Sequence, residues 1–149
     1  MAGGDRARWA IRSGVEDDVG AVLELWLRAE GRPSATDNAQ AVGGLLAADP
    51  RSLLVAEARG EVVGTLIVGW DGWRGSFYRL AVDPGWRRQG LATALVRAGE
   101  RQLEELGAAR LTAIVADEED AAAALWASVG YRRQPDTSRF VRMVDGSKA

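Results

Sequence analysis

The chain has 149 residues, 47% of them hydrophobic, and a domain of that size buries about 70% of its extended-chain surface around one core. A net charge of -2, with arginines scattered among acidic residues, leaves no basic footprint for nucleic acid. Zero cysteines exclude disulfides and thiolate chemistry, and zero histidines remove the usual neutral-pH base and the commonest metal ligand.

Any catalysis must therefore use carboxylates, Tyr, Lys, Arg or backbone groups, and no metal site is expected. No apolar run reaches the roughly 18 residues of a membrane span, and Met1 to Arg8 is short, polar and Gly-rich rather than a signal sequence. A soluble, cytoplasmic protein is expected, with no membrane partner.

Trp9-Ala10-Ile11-Arg12 reads as a first strand, and Ser13-Gly14-Val15-Glu16 has the form of a capping box. The helix after it places Val19, Val22, Leu23 and Trp26 on one face. After the Gly31-Arg32-Pro33-Ser34 break, a second helix is predicted from Asp37 to Ala48, ended by Asp49-Pro50. Ser52 to Ala58 and Val62 to Trp70 form a hairpin about Arg59-Gly60, and the turn Asp71-Gly72-Trp73-Arg74-Gly75 leads into a third antiparallel strand, Ser76 to Val82.

A long helix follows from near Gly90, with Ala92, Leu95, Val96, Gly99, Leu103 and Leu106 at helical spacing and Gly107 as its stop. Arg110 to Val115 is a strand reached by a helical crossover, hence parallel to its predecessor. Asp117 caps a last helix carrying Ala122, Leu125, Trp126 and Val129 on one face, and Gly130 ends it. Tyr131 to Gln134 and Arg139 to Val144 are predicted to close the chain as a hairpin about Pro135-Asp136. The order describes one α/β domain without repeat or linker.

The chemistry concentrates at Arg87-Arg88-Gln89-Gly90-Leu91-Ala92, between a strand and the long helix. The first N–H groups of a helix lack intrahelical partners and carry roughly half a positive charge, so anions bind there. Gly90 and Ala92 keep bulk away from the backbone, while Arg87 and Arg88 supply fixed positive charge. The stretch reads as a pyrophosphate socket.

Three segments resemble the GCN5-related N-acetyltransferase (GNAT) family over essentially the whole chain. Leu80-Ala81-Val82-Asp83-Pro84 is similar to the family's central strand and its exit, and Arg87 to Ala92 to its acetyl-CoA motif. Ala122 to Leu125 with Val129-Gly130-Tyr131 resembles its closing helix and Gly-aromatic step. The turn Asp71 to Gly75 with Tyr78 looks like an uncharacterised bacterial branch.

The resemblance implies residues 1–149 as a single acetyltransferase domain of α/β (α+β) class with the GNAT fold. That fold is a mixed, mostly antiparallel sheet of about six to seven strands, with about four helices and a splayed central parallel pair. It implies direct acetyl transfer from acetyl-CoA to the primary amine of a small molecule, or alternatively to a protein N-terminus or lysine. The pyrophosphate would lie on the backbone N–H groups of Gln89 to Ala92 with the Thr93 hydroxyl, flanked by Arg87 and Arg88. Leu80, Ala81 and Val82 would pair with the pantetheine arm, and an N–H near Ala81 or Val82 would polarise the thioester carbonyl.

The sequence departs from the family at the usual acid and base. Trp126 stands where many members have a Tyr acid, Glu119 where an Asn is common, and Ile114 where some members place a Glu. An indole N–H donates a hydrogen bond without releasing its proton at neutral pH. Core packing accounts best for Trp126, with contact to the cofactor sulfur as the alternative. Tyr78 and Asp71 rank first as catalytic bases, ahead of Glu119, and an amine that arrives neutral needs none. Trp26, Trp73 and Glu119 are the acceptor-binding candidates, and the tryptophan content is compatible with a homodimer. The rivals are a non-catalytic acyl-CoA-binding or sensing module and a P-loop domain, the second opposed by the missing Gly-x-x-x-x-Gly-Lys-Ser/Thr.

Overall fold

The computed structural model describes residues 8–29, 33–116 and 120–146. Five strands lie side by side in chain order: β1 (Ala10–Ser13), β2 (Leu53–Ala58), β3 (Glu61–Trp70), β4 (Gly75–Val82) and β5 (Leu111–Ala113). The first four are antiparallel neighbours and β5 runs parallel to β4. Four α-helices are described: α1 (Val19–Arg28), α2 (Ala39–Ala48), α3 (Leu91–Glu105) and α4 (Asp120–Ser128).

The sheet is covered on both faces, so its central strands read as continuous apolar runs rather than alternating ones. In β2, Leu53 and Val55 pack with Val19, Val22, Leu25, Trp26 and Val42 of α1 and α2. Leu54 and Ala56, on the opposite face by the two-residue period, join Leu91, Leu95, Val96 and Leu103 of α3 and Trp126 of α4. Each fully buried Leu or Phe contributes about 1.5–3 kcal/mol. A Cβ on Gly99 would stand 2.7 Å from Phe77 Cε1 and 3.0 Å from Leu66 Cδ2, so α3 meets the sheet closely only because that position has no side chain.

The first helical turn begins later than the Ser13 capping box predicts. Ser13 ends β1, and a 3-10 turn at Glu16–Asp18 precedes α1. Asp18 accepts the Val15 N–H at 2.8 Å and is gripped by two Arg12 nitrogens at 2.8 and 3.0 Å. The Arg12 bond, ahead of other causes, holds the Asp18 carboxyl below its usual range.

The predicted closing hairpin does not form, and the described sheet has five strands rather than six or seven. Residues 131–146 are irregular, with Phe140 95% exposed. A hairpin about Pro135-Asp136 would set Arg132 opposite Arg139, and like charges across a strand pair oppose pairing. β5 is also shorter than the expected Arg110 to Val115. The proposed Asp117 cap lies outside the described residues.

Candidate active site

The parallel pairing of β4 with β5 is brief. Its register runs from Gly75↔Leu111 to Phe77↔Ala113, with Gly75 N–H donating to Arg110 O (3.0 Å) and Ile114 N–H to Phe77 O (3.3 Å). Tyr78 to Val82 continue past the end of that pairing, so the two strands part there. The predicted splayed pair is thus present.

β4 carries a bulge where the parting begins. Its register against β3 steps from Thr65↔Ala81 to Ile67↔Tyr78, and Arg79 sits at φ 51, in the left-handed region. Below the bulge, Gly75 and Phe77 turn their polar groups to β5; above it, Asp83 N–H donates to Val63 O of β3 at 2.8 Å. The two-residue period therefore slips by one across the bulge. Ala81 faces β3 with Asp83, and Leu80 and Val82 face the gap. Val82 O accepts Arg87 Nε at 3.3 Å on that side.

At the open end of the gap stands the N-terminus of α3. Its N-cap is Gly90 at φ 86, which no side chain caps, and the first intrahelical bond is Ala94 N–H to Gly90 O at 3.0 Å. The N–H groups of Leu91, Ala92 and Thr93 therefore precede the helical ladder. A Cβ on Gly90 would find no protein atom within 4 Å. A pocket of ≈ 230 Å³ occupies this place, walled by Val82, Arg88, Gly90, Thr93 and Leu125 among others. Arg87, Arg88, Gly90, Leu91, Ala92 and Thr93 thus line one small cavity with open amide donors, and Gln89 does not.

The approach loop is fastened before it reaches the pocket. Asp83 caps the 3-10 turn Pro84–Trp86 by accepting the Gly85 N–H at 2.9 Å and pairs with Arg28 at 3.0 Å. Arg87 donates to Ala29 O at the end of α1 at 2.9 Å, so its guanidinium anchors the loop, and both Arg87 and Arg88 line the cavity. Gln89 Nε2 reaches Gly85 O at 3.4 Å, and its Oε1 is buried without a protein partner. Leu125 and Trp86 are pocket walls that the sequence reading left out. For Leu125 the signal was present, since it was already placed on the inward face of the last helix.

The other named residues divide. Tyr78 pairs with Ile67, whose side chain joins the α1–α2 core, and is 39% exposed on that face beside the bulge. Trp26 is buried rather than on a rim, with Nε1 donating to Thr65 Oγ1 at 2.9 Å. Trp126 is 6% exposed, stacked on Phe77 at 5.6 Å and edge-on to Tyr131 at 4.9 Å. Tyr131 donates to Glu100 at 2.7 Å, and burial pushes its phenol above the ordinary value.

Asp71 and Trp73 lie at the turn before β4, and Gly75 to Leu80 spans roughly 16 Å of strand at about 3.3 Å per residue. Asp71 Oδ1 accepts the N–H groups of Trp73 (2.8 Å) and Arg74 (2.7 Å), the Arg74 bond leading the causes that lower its pKa. Trp73 is 68% exposed under the Arg74 guanidinium. The structure does not bring this pair to the gap. Glu119 lies outside the described residues. A larger cleft of ≈ 1050 Å³ runs along the outer edge of β5, with Arg74, Arg110, Arg132, Arg133 and Arg139 among its walls. Its walls include Asp120 and Ala123 from the start of α4 and none of the residues from Arg87 to Thr93.

Comparison with known proteins agrees with this arrangement. An acetyltransferase of Pectobacterium atrosepticum is 36% identical over 121 residues, 81% of this chain and 86% of that protein. One of Photorhabdus laumondii is 40% identical over 111 residues, 74% and 78% respectively. The fold is shared with a ribosomal-protein alanine N-acetyltransferase of Escherichia coli (TM-score 0.72, 23% identity, 93% of this chain and 86% of that one). It is shared also with the aminoglycoside N-acetyltransferase AAC(6')-Iy in complex with CoA (TM-score 0.70, 17% identity, 91% and 95%). No helix among the described residues is long and apolar enough to cross a membrane. The model of the acetyltransferase (GNAT) family matches residues 19–131, through every strand from β2 to β5 and all four helices, and the chain belongs to that family of N-acetyltransferases.

Proposed function

We propose that this protein moves the acetyl group of acetyl-CoA directly to the primary amine of a small molecule. The observation that carries the proposal is the junction of the β4–β5 gap with the uncapped N-terminus of α3. The amides of Leu91, Ala92 and Thr93 supply donors for a pyrophosphate, the helix dipole favours its charge, and Arg88 adds a cation. Leu80 and the N–H of Val82 offer backbone to the pantetheine arm in the manner of an added strand, while Val82 O is taken by Arg87. The family's cosubstrate fits the donors and the shape of this end of the molecule.

Acetyl-CoA supplies the acetyl group, the amine nitrogen takes the carbonyl carbon, and CoA leaves as the thiol. The chain contributes mainly position and dipoles. A β4 amide facing the gap stabilises charge developing on the carbonyl oxygen. Tyr78, exposed beside the bulge, is the side chain best set to relay the amine proton through water, its hydroxyl passing one proton on as it receives another, and the proton lost by the amine balances the one gained by the departing thiolate. Asp71, whose carboxylate binds its own turn, is assigned no proton-transfer role. Trp126 holds α4 against Phe77 and thereby closes the cofactor side of the gap.

The test is thiol release from acetyl-CoA with the purified protein and a panel of polyamines, amino sugars, amino acids and N-terminal peptides. Turnover on small amines is expected. Turnover on the peptides alone would move the acceptor to a protein, and CoA binding without turnover on any amine would favour an acyl-CoA sensor.

A further inference from the structure

The bulge in β4 is formed by an arginine in a conformation that L residues avoid, and contacts to three described residues help to hold it there. The Arg79 guanidinium forms a two-pronged ion pair with Asp37, with Nε to Oδ1 at 3.1 Å. It also lies over the Trp26 ring, 5.2 Å from the centroid. Arg79 O accepts Thr65 Oγ1 at 3.0 Å, and Thr65 Oγ1 accepts Trp26 Nε1 at 2.9 Å. Trp26, Thr65 and Arg79 close a ring that Asp37 locks from outside.

The members come from four places: α1, β3, β4 and the segment before α2. Thr65 is fully buried, and the Arg79 and Asp37 side chains are only 19% and 20% exposed. An exposed pair of this kind would contribute little. Here the charges are mostly covered and cradle a backbone turn, as locally disfavoured dihedrals at functional sites are held by their surroundings.

We infer that Arg79 and Asp37 are positioning residues: by fixing the φ 51 turn they set which β4 amides face the β4–β5 gap, and hence the donor offered to a thioester carbonyl. The inference rests on the acetyl-CoA reading above. Without the turn, the period running up from Phe77 would carry on, and Ala81 would face the gap in place of Leu80 and Val82. The Arg79 side chain acts through its backbone and touches no substrate.

Glycine separates this role from a role for the charge. It adopts positive φ without steric cost, whereas alanine does not. The probes are S-(2-oxopropyl)-CoA, which carries a ketone carbonyl one methylene beyond the acetyl position, S-propyl-CoA, which has the same chain without it, and CoA itself, each measured by calorimetry. The wild type should bind the ketone about three- to tenfold more tightly than the propyl compound, the worth of one hydrogen bond. Arg79→Ala and Asp37→Asn should abolish that preference while changing CoA affinity less than about twofold, and Arg79→Gly should restore it. In the double variant Asp37→Asn, Arg79→Gly the preference should equal that of Arg79→Gly alone.

A wild type indifferent to the carbonyl, an Arg79→Ala that keeps the preference, or an Arg79→Gly as impaired as Arg79→Ala each overturns the inference. A wild type that binds CoA but not the acyl analogues refutes it alone. Failure to bind CoA at all refutes the acetyl-CoA reading and this inference with it. Thermal melts of each variant verify that the compared proteins are folded.

Discussion

Gly90 and Gly107 form a matched pair. Both have left-handed backbone, φ 86 and φ 96, and neither has a protein atom within 4 Å of its notional Cβ. A side chain at either costs about 1–2 kcal/mol of backbone strain, which in a domain of this size lowers Tm by roughly 2–4 °C per kcal/mol. Only Gly90 borders the pocket at the start of α3. A Val there would occupy the space in front of the Leu91, Ala92 and Thr93 amides, each worth about 1.5–3 kcal/mol as a bond to a charged oxygen. Losing two such bonds costs about 3–6 kcal/mol, or roughly 10² to 10⁴ in CoA affinity. Gly90→Val and Gly107→Val should therefore lose similar stability in thermal melts, while calorimetry shows weakened CoA binding for Gly90→Val alone. Equal CoA affinity in the two variants would refute the assignment of the pyrophosphate to this helix end.

Arg88→Ala should weaken CoA binding about tenfold and reduce its salt dependence at unchanged Tm, whereas Arg87→Ala should lower both affinity and Tm, because Arg87 also fastens the loop to Ala29 O. Trp126→Ala should destabilise by about 3–5 kcal/mol in urea unfolding, and Trp126→Phe should keep turnover near wild type, since the ring's stack on Phe77 is what α4 needs. Asp18 has its pKa lowered, chiefly by Arg12, so its stabilisation is present above 3.8 and is lost as the pH falls through the lower folded value. The stability gap between wild type and Asp18→Asn, about 1 kcal/mol at neutral pH, should accordingly close in acid when urea unfolding is followed against pH.

The parts of the fold legible in the sequence are those where one strong local signal acts alone. The α3 stripe from Leu95 to Leu103, the two-residue turn at Arg59-Gly60 and the Gly90 entry each follow from periodicity or glycine placement. The bulge at Arg79 was not legible, because it depends on Asp37, Trp26 and Thr65, which are distant in sequence and meet only once the sheet is built. The start of α1 was misread for a similar reason: Ser13-x-x-Glu16 is a genuine local pattern, but Arg12 and Asp18 outcompete it. The tail was misread because Pro135-Asp136 suggested a hairpin turn, while the clustered arginines that oppose strand pairing were given no weight.

At the site, the pocket at the start of α3 was legible because a helix N-terminus and its glycine are contiguous in sequence. Asp71 and Trp73 were candidates because their turn leads into the central strand, although the length of β4 holds them at its far end. The ring of Trp26, Thr65, Arg79 and Asp37 is assembled from α1, β3, β4 and the segment before α2, and no short motif encodes that meeting.

Backbone amide NMR during titration with CoA tests the central claim most directly, since it maps the ligand on the protein residue by residue. The account predicts the largest shifts at Arg88 to Thr93 and at Leu80 and Val82, with little change at Thr112 or Arg139. Shifts centred on Arg110 to Ala113 and Arg132 to Arg139, along the outer edge of β5, would contradict it.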